Sequence, residues 1–275
     1  SGQNILTATL NKVHHDDVVV SIAANSGTAT PGTDFSLPAS ITVEAGEITG
    51  STTVTAFQDN LVESNETLTI EIASVLNGVE NGTQEVSSTI IDDDIATLSI
   101  VATSHAAEDA TNGLFTIFTN KQFDTPSTIT FTLGGTATEG VDFLPVGTTV
   151  LFPAFTDYIE IPVEIVADDL IESKETVIIE LTGTSAGNVL IGAQDKQTIA
   201  ITDNDYGYLT ASVNHHPTEG DGSQGIITIY SSKTVGSPVE VFFATDGTAT
   251  QGADYAFSSP KVIIPEGADS VNVLA

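Results

Sequence analysis

The stretch Gly135-Thr136-Ala137-Thr138-Glu139-Gly140-Val141-Asp142-Phe143 contains a motif that occurs three times in this chain. Its other two copies span Gly27–Phe35 and Gly247–Tyr255, so successive copies begin 108 and 112 residues apart. All three copies fit the pattern G-T-A-T-x-G-x-D-[FY]. Self-similarity at a regular period indicates tandem repeats, each of which is one structural unit that packs against its neighbours.

Two further motifs follow the first at matching distances. An acidic motif spans Asp59–Glu66 and again Asp168–Glu175, and a closing motif reads Asp92-Asp93-Asp94 and then Asp203-Asn204-Asp205. Superposing the copies predicts three units, at residues 1–94, 95–205 and 206–275. We expect the middle unit to be complete, the first to lack its opening strand, and the last to stop before its acidic motif.

The fold class follows from the spacing of apolar residues. Each acidic motif leads into a segment with apolar side chains at every second position, which places them on one buried face of a strand; these are Leu68, Ile70, Ile72, Val177, Ile179 and Leu181. No long stretch has the apolar spacing of an amphipathic helix. With about seven strands in a unit of this size, the sequence predicts an all-β chain of tandem antiparallel β-sandwiches of the immunoglobulin-like type. Because no flexible linker separates the units, we expect neighbours to be closely coupled.

Composition restricts the partners. The chain has 37 acidic and 6 basic residues, a net charge of -31, which excludes nucleic acid as a natural partner because phosphate binding requires clustered lysine and arginine. No apolar run reaches the length of a membrane helix, so we expect no membrane insertion in this segment. Cysteine is absent, so a disulfide framework is excluded and the sandwiches need another stabilising device.

Many of the acidic residues are concentrated in four short, far-separated stretches per repeat. Loops separated by an even number of strands leave an antiparallel sandwich at the same end, so we expect these stretches to converge. Two like charges 5 Å apart cost roughly 3 kcal/mol at an effective dielectric near 20. Lys174 is the only basic residue inside a motif, so the neutralising cation is expected to come from solution. Multi-carboxylate, all-oxygen sites suit Ca²⁺ better than Mg²⁺, because Ca²⁺ accepts more oxygens in irregular geometry.

Taken together, the three motifs resemble the Calx-beta repeat, a family known from sodium–calcium exchanger regulatory domains, an integrin β subunit and large bacterial surface proteins. The resemblance covers nearly the whole chain and implies that the carboxylates at one end of each sandwich hold Ca²⁺, together with one main-chain carbonyl. The implied ligands of the middle unit are Glu108, Asp142, Asp168, the carbonyl of Leu170, Glu172, Glu175, Asp203 and Asp205, and Asp169 is a further acid in its acidic motif. Those of the first unit are Asp34, Asp59, Leu61, Glu63, Glu66, Asp92, Asp93 and Asp94. The last unit keeps Glu219 and Asp254 at motif positions.

The chain also departs from the family pattern. Gln58 and Ala167 stand where fuller members begin the acidic run with aspartate, and Asn60 and Asn204 replace acids. Fewer ions per repeat than in the best-endowed relatives are therefore expected.

Catalytic interpretations are much weaker. The segment Gly183–Gly187 reads G-x-S-x-G, but a nucleophile elbow requires a strand–turn–helix context that is not expected here. A glycosidase would need a cleft with aromatic residues, and aromatics are 6% of the chain with no tryptophan. His14-His15 and His215-His216 do not correspond between repeats, and for His105 and His216, which do correspond, a role in a turn is favoured over metal binding.

The leading hypothesis is a non-enzymatic, calcium-binding structural or adhesive segment of a large extracellular or cell-surface protein. Its expected partners are calcium ions, neighbouring repeats of the same chain and, through other domains, cell-surface or matrix ligands. Two alternatives stay open, a calcium-sensing regulatory domain of a membrane transporter and a non-catalytic spacer of a secreted enzyme.

Overall fold

A computed structural model describes residues 2–220, 222–257 and 259–275, and every regular element within these ranges is a β-strand. The strands group into three successive units, which confirms the predicted all-β fold of tandem sandwiches. The strands of the first unit are β1 (Gln3–Thr9), β2 (Val18–Gly27), β3 (Phe35–Ser36), β4 (Ser40–Val43), β5 (Thr49–Ala56), β6 (Glu66–Leu76) and β7 (Glu85–Ile90).

The middle unit contains two facing sheets. Its strands are β8 (Ala96–Ser104), β9 (Ala106–Ala107), β10 (Gly113–Thr119), β11 (Ser127–Gly135), β12 (Thr149–Phe152), β13 (Tyr158–Val163), β14 (Glu175–Thr184), β15 (Val189–Ile191) and β16 (Lys196–Thr202). One sheet has the order β13-β10-β8-β15 and the other the order β12-β11-β14-β16-β9. Their inward side chains alternate with outward ones, so that Val177, Ile179 and Leu181 of β14 are buried as the period of two predicts.

The outer units repeat part of this pattern. In the first unit, β1 pairs with β5 as β10 pairs with β13, so β1 corresponds to the second strand of the middle unit. The strands of the third unit are β17 (Leu209–His215), β18 (Ile226–Ser231), β19 (Val239–Phe242), β20 (Lys261–Ile264) and β21 (Ser270–Leu274), which form the sheets β17-β18-β21 and β19-β20. Each unit has its own apolar core.

The middle unit has two more strands than the sequence pattern indicates. Both are short and pair in parallel, β15 with β8 and β9 with β16. The strand β9 arises because the chain leaves one sheet after Ser104 and joins the other at Ala106. His105 lies at this crossing, where its Nδ1 accepts a hydrogen bond from the Ala200 amide at 3.1 Å. His105 thus lies in the link between two strands rather than in the predicted turn.

Neighbouring units are joined by the acidic motif itself. Val62 forms a parallel bridge with Phe123 of the middle unit, through Val62 N–H to the Gln122 carbonyl (2.9 Å) and Asp124 N–H to the Val62 carbonyl (3.1 Å). The Val62 side chain is 1% exposed and belongs to the apolar core of the middle unit. Each acidic loop is therefore docked directly onto the repeat that follows it.

The second junction has the same construction. Ile171 bridges to Val235 of the third unit and packs against the core of that unit. The Ile171 amide donates to the Thr234 carbonyl at 3.1 Å, and the Gly236 amide donates to the Ile171 carbonyl at 2.9 Å. Within the described residues, no helical segment has the length and apolar character that crossing a membrane requires.

Candidate metal centre

The G-T-A-T-x-G-x-D motif forms a closed turn that fixes its own aspartate. The amides of Val141 and Asp142 donate to the Thr138 carbonyl, and Gly140 adopts a left-handed φ of 84° that permits the tight turn. In return, Thr138 N–H donates to Asp142 Oδ2 at 2.6 Å. Asp34 and Asp254 accept the equivalent bonds at 2.5 and 2.7 Å. The motif aspartate thus has a structural role in every repeat.

The acidic loop is shaped by its first aspartate. Asp168 Oδ1 accepts the amide of Leu170 at 2.7 Å, and Asp59 Oδ1 accepts that of Leu61 at 2.8 Å. A carboxylate that bonds the amide two residues ahead is an Asx turn, which reverses the chain locally. This turn sends Ile171 or Val62 towards the next repeat and leaves the following glutamate at the end of its own sandwich.

The first aspartate of the closing motif ties two loops together. Asp203 Oδ2 accepts the Glu172 amide and its Oδ1 accepts the Asp205 amide, both at 2.8 Å. Asp92 makes the same pair of bonds to Glu63 (2.9 Å) and Asp94 (3.1 Å) in the first unit. The closing and acidic motifs, which are far apart in sequence, are therefore held in contact by backbone donors.

These turns bring carboxylates from different loops into contact. Each cluster offers three carboxylate oxygens that lie within 4.8 Å of one another. The middle unit has two such clusters, Glu108 with Asp203 and Asp205, and Asp142 with Glu172 and Glu175. The first unit has Asp34 with Glu63 and Glu66, and Asp92 with Asp93 and Asp94.

The electrostatics show how unfavourable these clusters are without a cation. Burial, followed by a hydrogen bond and charge repulsion from Asp203, raises the pKa of Glu108 to about 7. Burial and the charge of Asp142 raise the pKa of Glu175 to about 7, and burial with nearby acids does the same for Glu63. The pKa values of Glu66 and Glu172 are raised by the same causes.

Two buried carboxylate oxygens favour a bound cation. Glu108 is 6% exposed, and its Oε2 and the Oδ2 of Asp205 have no hydrogen-bond partner among the described residues. A buried carboxylate oxygen without a partner costs at least the desolvation energy of the group, about 1–3 kcal/mol and more when charged. The residues present therefore fit a bound hard cation, and the all-oxygen, irregular donor set suits calcium.

Several predicted site residues lie beside the clusters or apart from them. Asp168 and Asp59 are close enough to raise the pKa of Glu108 and Glu63, respectively. Asp169 is 94% exposed on its side chain. In the third unit, Glu219 and Asp254 are exposed and join no group of three potential ligands among the described residues. Leu61 and Leu170 lie in the acidic loops, and their carbonyls remain predicted ligands.

Only Lys174 lies inside a motif, yet two lysines outside the motifs lie beside the carboxylates. Lys121 of the middle unit makes an ion pair with Asp94 of the first, and Lys233 of the third makes ion pairs with Asp205 and Asp169 of the middle unit. Both lysines come from the following repeat, so inspection of each motif alone missed them. The signal that could have found them is recurrence, because Lys12, Lys121 and Lys233 are 109 and 112 residues apart.

Substitutions in the acidic runs also have partners in the structure. The side-chain amide of Gln58, which stands where fuller family members have aspartate, donates through Nε2 to Asp93 Oδ1 at 2.9 Å. Asn204 donates to the Glu108 carbonyl and to Asp109 at 3.4 and 3.3 Å. Each amide supplies a donor to an acid or carbonyl.

Other motifs form no catalytic arrangement among the described residues. Ser185 lies directly after β14, where its hydroxyl oxygen accepts the Thr128 amide at 2.9 Å, and no strand–turn–helix surrounds it. His14, His15 and Asp16 place ligand atoms within 4.8 Å of one another, but His15 and Asp16 are exposed and the three residues are adjacent in sequence.

Comparison with known protein families gives a match to one domain family. The family profile of the Calx-beta domain matches residues 4–101, 92–205 and 210–274. Among solved structures, an apo-form Calx CBD1 domain shares 22% identity over 41% of this chain and 100% of its own, with a TM-score of 0.37. CBD12 from CALX1.2 shares 17% over 64% of this chain and 75% of its own (TM-score 0.36). The calcium binding domain CBD12 of CALX1.1 shares 16% over 64% and 74% (TM-score 0.35). Comparison with curated proteins gives no match.

Proposed function

Because the chain belongs to the Calx-beta family, whose profile matches it three times, we propose that it is a calcium-binding structural segment of a large extracellular or cell-surface protein. Calcium stiffens the repeats and the joints between them. The segment itself carries out no catalysis.

The observation that carries this proposal is the cluster of buried Glu108 with half-buried Asp203 and Asp205. Its ligand atoms lie within 4.8 Å of one another, and two of its oxygens are buried without a partner among the described residues. A folded domain stable by about 5–15 kcal/mol tolerates few such groups, so a cation is needed to neutralise them.

The chain's own residues position the charges that calcium neutralises. When bound, calcium supplies two positive charges and accepts six to eight oxygens. Glu108 contributes a carboxylate from the opening loop, and Glu172 contributes one from the acidic loop. Asp203 holds the acidic and closing motifs together by accepting hydrogen bonds from their backbone amides. Ligands from three separate segments would thus be fixed relative to one another.

The structural role rests on how the repeats are joined. Only five residues separate β7, which ends at Ile90, from β8, which begins at Ala96. Val62 and Ile171 extend the cores of the following repeats, so the joints are packed rather than linked by free chain. An extracellular location is proposed because calcium is abundant there and a cysteine-free sandwich gains the rigidity that disulfides would otherwise supply.

A calcium sensor that regulates a transporter is the second candidate. It is favoured by the direct connection between each site and the next repeat, since Val62 precedes Glu63 and is 1% exposed in the core of its neighbour. Calcium-dependent rearrangement of such a loop would be transmitted to the adjacent unit. A spacer of a secreted enzyme would use the same rigidity. The sequence that flanks this segment would distinguish the three candidate functions. Further repeats would favour the structural segment, a membrane span the transporter sensor, and a catalytic domain the spacer.

Thermal unfolding of the 275-residue chain with calcium and after chelation tests the proposal. Occupancy at a hundredfold excess over Kd stabilises the folded state by about 2.7 kcal/mol. We therefore expect calcium to raise the midpoint by several degrees. A midpoint that chelation leaves unchanged to within about a degree would rule out a calcium-stabilised array.

A matched pair of variants assigns the effect to the site. Glu172→Gln should reduce the calcium-induced rise, because it removes a charge from the cluster with Asp142 and Glu175. Glu160→Gln, on an exposed position of β13, removes the same charge away from the cluster and should leave the rise as in the unmodified chain.

A further inference from the structure

The turn between β12 and β13 contains a bulky residue in a left-handed backbone conformation. Phe155 has a φ of 56°. The other non-glycine residues with positive φ in the described part of the chain, Asn77 and Asp109, have the short polar side chains that tolerate this region, whereas a phenylalanine there is strained. The Phe155 side chain is 60% exposed, so packing within its own repeat offsets little of that strain.

The turn itself does not require a phenylalanine. Gly46 and Gly267 occupy the equivalent position of the outer repeats, with φ of 86° and 76°. Their amides donate to the carbonyl of the corresponding loop residue at 2.9 and 2.8 Å, as the Phe155 amide donates to the Phe123 carbonyl at 3.0 Å. Glycine builds the same turn without strain, so the strained Phe155 indicates a role outside the turn.

The two strands that this turn connects border an apolar groove. They are edge strands of the two facing sheets, and the groove between them has a volume of about 540 Å³. Leu151 and Tyr158 line it and are exposed, and the Phe118 ring lies 5.9 Å from that of Tyr158. The first repeat has threonine at all three equivalent positions, namely Thr42, Thr49 and Thr9. The fold does not need these apolar side chains, which favours a binding surface.

The rim of the groove is acidic. Asp157 and Glu160 line it, both are exposed, and neither makes an ion pair among the described residues. Carboxylates beside aromatic rings attract cationic side chains, through charge and through cation–π contact. The net charge of -31 attracts basic partners in the same way and opposes association with a second copy. Edge strands also offer unpaired backbone groups, to which an extended segment can add.

We propose that the groove between β12 and β13 binds an extended peptide segment of a partner protein that carries lysine or arginine beside apolar side chains. Phe155, Tyr158 and Leu151 supply the apolar contacts, and Asp157 and Glu160 supply the charge. The middle repeat thus has a partner-binding role in addition to the calcium-dependent role proposed above.

The experiment selects ligands from a library of random peptides of about eight residues, a length that covers an edge strand. The full chain is the target, and the double variant Phe155→Gly/Tyr158→Thr, with the residues of the first repeat, is used for counter-selection. Recovered peptides should be rich in lysine or arginine next to apolar residues. In calorimetric titration of one such peptide, Phe155→Gly should weaken binding by about tenfold or more. The affinity of the unmodified chain should fall as salt is raised.

The stability of the variant separates binding from folding. Phe155→Gly should not lower the unfolding midpoint, because glycine relieves the backbone strain of the turn. Leu151→Thr should weaken peptide binding, whereas Leu190→Thr should leave it unchanged. Leu190 is the matched control, since it is an exposed leucine of β15, at the opposite edge of the sheet that contains β13.

Two outcomes of the selection would overturn the inference. The first is that no peptide distinguishes the chain from the double variant, and the second is that the recovered peptides have no excess of basic residues. Concentration-dependent self-association that Phe155→Gly abolishes would identify a second copy as the occupant and would also overturn it. The selection does not measure calcium binding, so its failure leaves the proposed function intact.

Discussion

At the scale of single residues, the glutamates of the clusters are the groups most sensitive to their surroundings. Glu108 is buried, Glu63 and Glu175 are half-buried, and all three lie beside other carboxylates. The pKa of each is raised from 4.5 to about 7. Such a group binds its proton more tightly in the folded chain than in the unfolded chain. Protons and calcium therefore compete for the same carboxylates.

This competition predicts the pH dependence of stability. Between 4.5 and about 7 the calcium-free folded chain holds more protons than the unfolded chain. The stabilisation from these glutamates is therefore fully present below 4.5 and is lost as the pH rises through about 7. Thermal unfolding of metal-stripped chain should show a falling midpoint across this window, whereas the increment added by calcium should grow. A metal-free midpoint that rises with pH across the window would contradict this account.

The aspartates have a different task from the glutamates. Asp142 and Asp168 each use one oxygen to close a turn of their own loop, and Asp203 uses both to join two loops. These bonds form to backbone amides and do not need a metal. The aspartates consequently prearrange the site, and the less constrained glutamates complete it.

At the scale of elements, the first glycine of the motif fixes how the turn sits on the neighbouring strand. Gly135 has a φ of 117°, and a Cβ built on it would lie 2.1 Å from the Thr176 carbonyl oxygen of β14. The same close approach occurs between Gly27 and the Thr67 carbonyl. Only glycine allows the motif turn to lie this close to the strand that begins with Glu175, a predicted ligand.

Gly135→Ala should therefore destabilise the middle unit by about 3 kcal/mol or more, through backbone strain together with overpacking against β14. Gly247→Ala is the matched control, because Gly247 has a φ of 140° but no atom within 4 Å of the place that a Cβ would occupy. It should cost only the strain, about 1–2 kcal/mol. Urea denaturation of both variants measures the difference, and equal losses would show that the contact with β14 does not matter.

At the scale of the whole molecule, the joints place each acidic loop in direct contact with the next repeat. Val62 is bonded to Gln122 and Asp124 through its backbone and buried in the core of the middle unit, and the next residue is a predicted calcium ligand. Ile171 repeats this arrangement at the second joint. Ordering of the acidic loop by calcium should for this reason also order the joint.

Truncation of the Val62 side chain should separate calcium binding from the ordering of the joint. Val62→Ala removes two methyl groups from the joint and should cost about 1–2 kcal/mol. In small-angle scattering, the unmodified chain should become more rigid on calcium addition, and Val62→Ala should show a smaller change while still binding calcium. Val101→Ala, on a side chain 41% exposed on β8, is the control and should scatter like the unmodified chain. An identical calcium response in both variants would mean that Val62 does not couple site and joint.

Much of this architecture could be predicted from local patterns. The three motifs predict the tandem repeats and the family, alternation in segments such as Leu68 to Ile72 predicts the strands, and the acids of the motifs predict which loops converge. These features are local or periodic, and each motif forms its own turn from bonds within a few residues, as Thr138 does with Asp142. The short strands β9 and β15 escaped prediction because two or three residues carry no periodicity.

The junctions could be seen only after folding. Lys233 is 28 residues from Asp205 and 64 from Asp169, and no local pattern couples them. Their contact depends on how one sandwich is oriented on the next, which the packing of Ile171 into a neighbouring core helps to fix. The hydrogen bonds within each motif could thus be inferred from the composition and spacing of the sequence. The nearest cation to each cluster could not, because electrostatic energies depend on distance in space rather than along the chain, and long-range packing sets that distance.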